Sequence, residues 1–549
     1  MSNRMFSKFL YMPFIFLFFT TSFAENPIIQ TNFTADPAPM VYNDTVFLYT
    51  GHDEDTTPSS GFIMKNYLLY TSTDMVNWRD RGMVASLKNF SWAPSNGAWA
   101  AQVIYRNGKF YYYCAIQSYG IGVLVANTPY GPFTDTLGHA LLNHSGNDID
   151  PTVFIDDDGQ AYLYWGNPQC YWVKLNQNMI SYSGKIDSLV PKLSTYQEGP
   201  WFYKRNSHYY LAWASTCCPE GIGYAMSDSP YGSWTYKGSI MDGNDSSSGN
   251  HPGIIDYKGK AYVFGFNYAI NNSLTTVHRE RRSVCLAEMT YNTDGTIKKL
   301  PWWGGNLPVT GVAQVGNLNP YDTTQAEMIC FEKGVRTEVC KDSNGGIDVD
   351  SIHNGDYIKV AGADFGSGSA SKFIARVASA TSGGNIEIHI DSLKGTIIGT
   401  CAVTGTGGWQ TWTTVTCNIT GSATGVHNLF FKFTGNSGML FNFNWWKFNS
   451  SVGVKNACGE KNISGNTTFL SMNNQTQTLR IDFNSSVLHN NARIRIFDLT
   501  GRRAAAFSYV LTSEHLAIPL HNNDMRPGVY LVNISLNGTE VLTRAIIMK

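Results

Sequence analysis

Five segments of the sequence share one outline, and each begins with a residue that can bind or transform a substrate. The outline is a polar or aromatic first residue, an apolar run, an Asn/Asp/Gly turn and an aromatic strand. The segments begin at Asp36, Trp99, Asp150, Glu198 and His251. Carboxyl groups can supply the general acid and the general base that hydrolysis of an acetal between two sugars requires.

The spacing of these segments predicts that their first residues meet. Successive copies are about fifty residues apart, which is the length of a propeller blade of four short strands. The inner strands of a propeller surround one axis, so their first residues converge on a central pocket. Carboxylates held together repel one another and raise pKa values, which is typical of functional sites. We therefore predict an all-β protein with a five-bladed β-propeller over residues 25–305.

Each candidate residue also has a structural interpretation. Asp36 and Asp150 precede Pro and are common turn formers at the start of a strand. Glu198 alone can be read as a surface acid, and His251 as a hydrogen-bonded core histidine. The acidic run Asp156–Asp158 is more typical of a hairpin turn than of a metal loop. The repetition of the pattern favours a functional role for the three carboxylates.

The composition favours an uncharged, ring-shaped ligand. A net charge of −1 gives no attraction to nucleic acid or to an anionic membrane. Charged residues make up only 15% of the chain, aromatic residues make up 13%, and there are 52 Gly. This mixture is typical of turn-rich β proteins that bind sugars, although Trp92 and Trp99 are equally consistent with core packing.

The N-terminal segment predicts export. Arg4 and Lys8 precede an apolar stretch that ends in the small-residue pattern Ser22–Ala24. We interpret residues 1–24 as a secretory signal peptide, with an uncleaved membrane anchor as the alternative. No later segment is long and apolar enough to cross a bilayer, so we expect no membrane contact after cleavage.

Ten cysteines in an exported chain predict disulfides. Our first pairings are Cys401 with Cys417, which flank a probable hairpin, and Cys330 with Cys340, which are close in sequence. Cys217-Cys218 is an unusual adjacent pair. No Cys or His spacing resembles a zinc site.

Two further β-modules follow the propeller. A Pro- and Gly-rich connection leads to alternating strands over residues 322–449. A Ser-, Gly- and Asn-rich linker spans residues 450–466. Residues 467–549 predict a small C-terminal β-sandwich, and no long helix is expected anywhere.

Four segments carry a resemblance to a known family. They are ADPAPMVY from Ala35, NDIDPTVFIDDDGQAYLYWGN from Asn147, YQEGPWFY from Tyr196 and GNHPGIIDYKGKAY from Gly249. Together they resemble the five-bladed propellers of glycoside hydrolase family 43. YTGHDE and WAPSNGAWAAQV are most similar to secreted arabinofuranosidases that trim arabinoxylan.

The resemblance implies a role for each carboxylate. Asp36 is expected to be the general base that activates water, Glu198 the general acid, and Asp150 the residue that modulates the pKa of Glu198. The implied outcome is hydrolysis with inversion. A β-xylosidase or an arabinan hydrolase of the same fold is the alternative within the enzyme class, and a noncatalytic polysaccharide-binding protein is the alternative outside it.

The resemblance also implies contacts around these carboxylates. The candidate substrate contacts are Trp92, Trp99, His251 and Arg282: Arg282 matches a family position near the substrate, and at least one of the two tryptophans is a candidate for stacking on a sugar. His251 corresponds to the pocket floor, where family members often hold a calcium ion or a water cluster. No cofactor is expected for the chemistry itself.

The second module resembles carbohydrate-binding module family 6, a jelly-roll β-sandwich. The segments that carry this resemblance are SIHNGDYIKVAGADFG, GGWQTWTT and LFNFNWWKFN. The resemblance implies that Trp409 and Asn442 bind a sugar, with Trp412 as an alternative platform. Thr337 stands where many members carry a second aromatic residue, and Glu327 is near a structural calcium position.

The last domain, with IRIFDLTGRR and PGVYLVNI, resembles the C-terminal sorting domains of type nine secretion substrates. A plain accessory β-domain is the alternative. The resemblance implies a protein that is secreted or held at the cell surface. Its expected partner is arabinoxylan or a related plant cell-wall polysaccharide.

Overall fold

The structure is a computed structural model of the chain. It describes residues 23–244, 250–303, 309–450, 467–473, 478–483, 488–498, 503–513, 515–520, 528–537 and 539–548. The chain forms two compact units, Met1–Ser451 and Val452–Lys549. The predicted signal peptide and the predicted linker lie almost entirely outside the described residues. No helix in the described part is long and apolar enough to span a membrane.

Residues 23–313 form five antiparallel sheets and one short strand pair. The pair is β1 (Phe23–Asn26) with β21 (Val309–Ala313). The first two sheets consist of β2 (Thr34–Tyr42), β3 (Thr45–Asp53), β4 (Met64–Ser72) and β5 (Trp78–Ser86), then β6 (Ala98–Arg106), β7 (Lys109–Ile116), β8 (Gly120–Ala126) and β9 (Thr134–Asp135). A short 3-10 turn, Leu87–Asn89, joins them.

The other three sheets continue the same order. The third and fourth consist of β10 (Thr152–Ile155), β11 (Ala161–Trp165), β12 (Tyr171–Leu175) and β13 (Tyr182–Ser188), then β14 (Tyr196–Arg205), β15 (His208–Ser215), β16 (Gly221–Ser227) and β17 (Thr235–Met241). The fifth consists of β18 (Gly253–Tyr257), β19 (Lys260–Asn267) and β20 (Ser283–Met289), with α1 (Ala269–Leu274) between the last two; β21 (Val309–Ala313) follows.

Aromatic and aliphatic side chains fill the space between neighbouring sheets. Tyr49, Tyr67 and Tyr112 are fully buried, with ring centroids 5.3 Å apart from Tyr49 to Tyr112 and from Tyr67 to Tyr112. Such tilted contacts are favourable for aromatic pairs. The period-two alternation expected of half-buried strands is weak in these strands because both faces of each sheet are covered.

The second module is a two-sheet sandwich. One sheet joins β22 (Thr324–Gln325), β25 (Arg336–Val339), β26 (Ile347–Asp350), β28 (Ala370–Ser379), β31 (Gly408–Asn418) and β33 (Asn442–Ser450). The other joins β24 (Phe331–Lys333), β27 (Tyr357–Asp364), β29 (Gly384–Ile390), β30 (Ile397–Val403) and β32 (Val426–Thr434). Phe373, Phe431 and Trp446 lie at the centre of its core.

The module is joined to the first sheet of the preceding region by strand pairing and buried hydrogen bonds. Strand β23 (Met328–Ile329) pairs with β5 and extends that sheet. Asn77 is fully buried, donates to the carbonyl of Ala361 over 3.0 Å and accepts from its N–H over 2.8 Å. Ala361 lies in a bulge of β27, so its N–H and carbonyl do not pair within the sheet. Asn77 supplies their hydrogen-bond partners across the domain boundary.

The second unit is a small β structure. One sheet contains β34 (Thr467–Asn473), β35 (Thr478–Phe483) and β38 (His515–Pro519). The other contains β36 (Asn491–Asp498), β37 (Arg503–Val510), β39 (Gly528–Leu536) and β40 (Thr539–Met548). Ile481, Ile494 and Val532 are fully buried between them.

The cysteine pairings differ from those expected. Cys217 and Cys218 form a disulfide, whereas the predicted bridge between Cys330 and Cys340 is wrong. Cys330 is in a core cluster shared with the first sheet, and Cys340 follows β25 with its thiol near Asp342. The two cysteines are close in sequence but do not pair. The strands between them, β24 and β25, belong to different sheets.

The predicted bridge between Cys401 and Cys417 is not formed either, and both residues are free thiols. The two thiols are nevertheless neighbours, because interaction with Cys417 raises the pKa of the Cys401 thiol. They lie on β30 and β31, which belong to different sheets of the sandwich rather than to one hairpin.

Candidate active site

A cavity of about 310 Å³ lies where the first strands of the five sheets begin. All three expected carboxylates, Asp36, Asp150 and Glu198, line it, together with His251. Its further lining residues are Phe62, Met64, Trp99, Ala100, Asn147, Ile149, Asn167, Gln197, Cys217, Glu220 and Arg282. The convergence expected from the repeated pattern is therefore present in the structure.

Each carboxylate is aimed by an irregular backbone at the start of its strand. Asp36 and Asp150 have φ angles of 48° and 59°, in the left-handed region, and each precedes Pro. Gly199, directly after Glu198, has φ 59° and also precedes Pro. The ladder shifts register between Ala35 and Ala38 in β2 and again after Glu198 in β14. Bulges of this kind redirect side chains, so the repeated X-Pro step turns the three carboxylates into the cavity.

His251 stands between the three carboxylates. Its Nδ1 is 3.2 Å from Asp36 Oδ1, and its Nε2 is 3.5 Å from Glu198 Oε1 and 3.8 Å from Asp150 Oδ2. The contact with Asp36 is a charge contact without hydrogen-bond alignment. The ring packs against Gly199, where an added Cβ would come within 2.7 Å of the imidazole. Glycine at this position is thus required for the histidine to reach the carboxylates.

The charges of this group set the protonation states. Burial, together with the charges of Glu198 and Asp36, raises the pKa of Asp150 to about 7. Burial opposes a charge on His251, but Asp150 and Asp36 raise its pKa to about 10. The imidazolium is therefore the form expected at neutral pH, and it is the counterion of the carboxylates.

The pKa of Glu198 is lowered by the neighbouring imidazolium of His251. Burial alone would raise its pKa, but the hydrogen bond and charge of His251 and a hydrogen bond from Asn167 lower it. Asp150 was expected to hold this pKa up by repulsion. In the free pocket the influence of His251 exceeds that of Asp150, because His251 contacts Glu198 directly.

Arg282 fixes Asp36 from the other side. Its Nη1 donates to Asp36 Oδ1 over 2.7 Å, while its Nε and Nη2 hold both oxygens of Asp53 at 3.0 and 2.9 Å. The carboxyl group of Asp53 is fully buried, and the pKa of Asp53 is raised by burial. The guanidinium lies 4.5 Å from the centre of the Phe62 ring, which limits its movement further.

The two expected tryptophans have different positions. Trp99 lines the cavity, on a stretch of β6 where the ladder also shifts register. Trp92 is not among the lining residues; its indole donates to Asp135 over 2.9 Å, and its ring packs on Phe90. The structure therefore separates Trp92 from the other candidate residues, and core packing explains its position.

Several residues in or directly behind the cavity were not identified from the sequence. Asp53 and Asn167 belong to motifs that carried the resemblance, YTGHDE and WGN, and Phe62 follows the first of these after a loop. Glu220 is buried and accepts from the backbone N–H of Asn250 over 2.8 Å. None of these residues begins a repeat, so the pattern that revealed the carboxylates gave no signal for them.

Three residues of the cavity are also of types that can bind metal ions. Among the described residues, Asp150, Glu198 and His251 form one of two groups with three ligand atoms within 4.8 Å of one another. Calcium takes oxygen ligands, so the ring nitrogens of His251 are not suited to hold it directly. Two carboxylates are fewer donors than the six to eight oxygens that calcium takes. The residues present fit an imidazolium counterion better than a calcium ion.

In the second module, the expected sugar-binding residues lie around a polar cluster. The amide of Asn442 donates to Glu338 over 2.7 Å and to Asp348 over 3.0 Å. Gln410 donates to the same two carboxylates and accepts from the indole of Trp412 over 3.1 Å. Trp409 and Trp412 are both partly exposed. Trp412 is the tryptophan tied to the Asn442 cluster.

Thr337 and Glu327 are at the domain boundary. Thr337, which stands where many relatives carry an aromatic residue, donates to Asp80 of the first sheet over 2.8 Å. Glu327 is buried, and one of its oxygens pairs with Arg79 at 3.0 Å. Glu327 belongs to no group of three His, Cys, Asp or Glu ligands in the described residues. Its observed partner is an arginine of the neighbouring domain.

A pocket in which carboxyl groups from different strands converge is typical of enzymes that cleave glycosidic bonds. The profile of Glycosyl hydrolases family 43 matches residues 24–297. The profile of Carbohydrate binding module (family 6) matches residues 325–450, and that of Secretion system C-terminal sorting domain matches residues 473–549. The latter is consistent with a secreted or cell-surface protein.

Two proteins of one kind are similar over most of their length. An arabinoxylan arabinofuranohydrolase of Paenibacillus polymyxa is 36% identical over 487 residues, which cover 78% of this chain and 75% of the relative. An arabinoxylan arabinofuranohydrolase of Bacillus subtilis is 34% identical over 484 residues, covering 77% and 92%. The chain therefore belongs to glycosyl hydrolase family 43.

A solved structure shares the arrangement of the first two domains. It is a family 43 arabinoxylan arabinofuranohydrolase from Bacillus subtilis in complex with cellotetraose. The TM-score is 0.69 at 33% identity, over 77% of this chain and 97% of that one. The sandwich module is thus part of the shared structure and not an isolated addition.

Proposed function

We propose that this protein hydrolyses α-L-arabinofuranosyl side chains from arabinoxylan. The observation that carries the proposal is the convergence of Asp36, Asp150 and Glu198 around His251 in one cavity. The similarity to two arabinoxylan arabinofuranohydrolases supports the choice of substrate.

The proposed reaction is a single displacement. Glu198, in its protonated form, transfers a proton to the oxygen that links the side chain to xylose. A water molecule attacks the anomeric carbon from the opposite face and gives its proton to Asp36 while the glycosidic bond breaks. The products are free arabinose of inverted configuration and an unsubstituted xylose hydroxyl. Exchange with solvent then removes the proton from Asp36 and restores the one on Glu198.

The arrangement of groups around His251 supports inversion. Asp36 and Glu198 contact different nitrogens of the imidazole, so the ring stands between their carboxyl groups. Inverting enzymes separate their two carboxyl groups by roughly 6.5 to 9.5 Å, which leaves room for a water molecule. We assign Arg282 the role of orienting Asp36 through the 2.7 Å hydrogen bond.

We assign Asp150 a role in proton distribution. Its N–H partner Gly199 and its contact with His251 hold it beside Glu198. A substrate oxygen that hydrogen-bonds to Glu198 competes with His251, which removes the main influence lowering the pKa of Glu198. The charge of Asp150 then favours the protonated form of Glu198 that the reaction requires. The chemistry needs no metal ion or cofactor in this scheme.

We further propose that the five sheets are the blades of a closed propeller. The first strands of successive sheets contact one another in chain order, and β18 of the fifth sheet contacts β2 of the first. This arrangement supports a ring around the cavity. The sandwich module would hold the enzyme on insoluble polysaccharide through Trp412 or Trp409 and Asn442.

Glu198→Gln tests the proposal. The amide keeps the shape of the side chain but cannot donate the required proton, so arabinose release should fall by about 10²- to 10⁴-fold. Binding to insoluble xylan should be unchanged. Glu288→Gln, on β20 and paired with Lys260, is the matched control and should retain full activity. Unchanged arabinose release by Glu198→Gln would contradict the assignment.

A further inference from the structure

The Cys217–Cys218 disulfide lies in the short loop between β15 and β16. Ser215 and Gly221 pair at the base of this loop, and Glu198 pairs with Ala214 on the neighbouring strand. The loop therefore begins directly beside the residue that we assign as the proton donor. Cys217 lines the cavity, and both cysteines are exposed.

The loop holds a fixed shape around the disulfide. Thr216 has φ 60°, a left-handed conformation that β-branched residues rarely adopt. Its N–H donates to the carbonyl of Thr195 over 2.8 Å, which ties the loop to the segment before Glu198. Strained backbone of this kind is concentrated at ligand-binding sites, where surrounding contacts maintain it.

The chemistry of the pair favours contact with a sugar over metal binding. Cys217, Cys218 and Glu220 have ligand atoms close enough to hold an ion. However, thiolates bind metal ions, and the sulfur atoms here are joined as a disulfide. Bonded sulfur is a soft, polarizable and largely apolar surface. An exposed surface of this kind at the edge of a polar pocket matches the apolar face of a pyranose ring.

The position of the loop indicates which sugar unit of the substrate contacts the disulfide. A group beside the proton donor is on the side of the leaving oxygen, whereas Asp36, the assigned base, is on the opposite side of the anomeric carbon. The leaving oxygen belongs to the main-chain xylose. Resting on the proposed function, we infer that the Cys217–Cys218 disulfide is the wall of the subsite that binds the main-chain xylose bearing the arabinosyl branch.

This assignment makes the disulfide a specificity-determining element. Reducing or removing it should weaken reaction with substrates that carry a xylose at the leaving group. It should have little effect on substrates whose leaving group is too small to reach the loop. A purely structural role would reduce both reactions together.

The test compares two substrates with the full-length protein. Wild-type protein and Cys217→Ser/Cys218→Ser are assayed on arabinoxylo-oligosaccharides and on methyl α-L-arabinofuranoside. The double variant should lose about tenfold in kcat/KM on the oligosaccharides, the scale of a lost apolar contact. Its kcat/KM on the methyl glycoside should fall much less, so the ratio of the two values should change by several-fold relative to wild type.

A second measurement guards against misfolding of the variant. Wild-type protein is treated with a phosphine reductant, alkylated and assayed on the same two substrates. It should reproduce the selective loss. Cys401→Ser/Cys417→Ser, altered in the other module, is the matched control and should behave as wild type before and after reduction.

Equal effects on both substrates, or no effect on either, would overturn the inference while leaving the proposed function intact. Alkylation of Cys217 and Cys218 in protein that was never reduced would overturn it as well. A wild-type protein without arabinofuranosidase activity on either substrate would overturn the proposed function and, with it, this inference.

Discussion

Arg282 holds Asp36 and Asp53 together: one guanidinium nitrogen donates to Asp36 over 2.7 Å, and the other two hold both oxygens of Asp53. All three side chains are buried. A planar guanidinium can satisfy two carboxylates at fixed angles, which a lysine ammonium cannot do. The assigned base is therefore positioned by the residue that directly precedes β20 and by the end of β3, as well as by its own strand.

Arg282→Lys should lower kcat by about 10²-fold, because misplacing a reacting group by about 1 Å has an effect of this size. The positive charge is kept, so the loss reports orientation and not the charge alone. The measurement is steady-state kinetics on arabinoxylo-oligosaccharides. Arg281→Lys changes the neighbouring residue in the same way and should retain activity; equal losses in both variants would contradict the positioning role.

His251→Gln should shift the pH dependence of the reaction. In the free wild-type enzyme the imidazolium lowers the pKa of Glu198, and removing this cation removes the cause. The activity of a general acid falls as pH rises through its pKa. The alkaline limb of kcat/KM should therefore move to higher pH in the variant, along with a lower maximum.

The profile is measured between pH 4 and 10, a range that spans values of about 7 for Asp150 and about 10 for His251. His278→Gln, with the imidazole exposed and paired to Glu280, is the control. An alkaline limb at the wild-type position in His251→Gln would show that the histidine does not set the protonation of the acid.

Asn77→Ala should destabilise the joined catalytic and binding domains. The substitution removes two hydrogen bonds to the backbone of Ala361 and leaves its N–H without its buried partner. Loss of such a partner costs about 1 to 3 kcal/mol of the free energy of unfolding. Thermal and denaturant unfolding measure the effect.

Arg336→Gln provides the comparison at the same boundary. Its salt bridge with Asp55 is exposed on both sides, and exposed pairs contribute about 0 to 1 kcal/mol. We expect unfolding near the wild-type midpoint. A larger loss in Arg336→Gln than in Asn77→Ala would mean that surface charges, and not the buried amide, hold the domains together.

Trp412→Ala should reduce retention on insoluble xylan without changing hydrolysis of soluble oligosaccharides. The indole is partly exposed and is held by Gln410, which also binds the carboxylates around Asn442. Pull-down on insoluble xylan measures retention. Trp409→Ala is assayed in parallel; a loss in Trp409→Ala alone would assign the sugar platform to that residue.

Point substitutions test the binding role of the module more cleanly than deletion of the whole module. Removing residues 322–449 would expose the edge of β5, which pairs with β23, and leave Asn77 without Ala361. Such a deletion would change stability and binding together.

The carboxylates could be predicted from the sequence because the same local pattern recurs. Asp36, Asp150 and Glu198 each lie at or just before the start of a strand, next to a Pro-containing step, and equivalent positions in repeated units converge in space. A sequence pattern that repeats along the chain therefore predicts which residues meet at the centre of the fold. Asp53 and Asn167 were not predicted as site residues. They are not the first residues of repeats, and they come near the carboxylates only in the folded structure.

The protonation of Glu198 could not be predicted because it depends on distances of a few ångströms. The sequence identifies His251 as part of the group but not that its Nε2 lies 3.5 Å from Glu198 and 3.8 Å from Asp150. Trp92 illustrates a similar limit, since the sequence does not show that its indole donates to Asp135 and that it lies outside the cavity lining. The cysteine pairings failed because proximity along the chain does not determine which sheet a strand joins.

The central claim is release of arabinose side chains from arabinoxylan. The most direct test is chromatographic analysis of products after incubating the protein with wheat arabinoxylan, linear arabinan and xylo-oligosaccharides in parallel. We predict free arabinose from arabinoxylan and an intact xylan main chain, with no products from the other two substrates. Xylose from the xylo-oligosaccharides, or arabinose oligomers from arabinan, would contradict the account and assign the pocket to a β-xylosidase or an arabinan hydrolase.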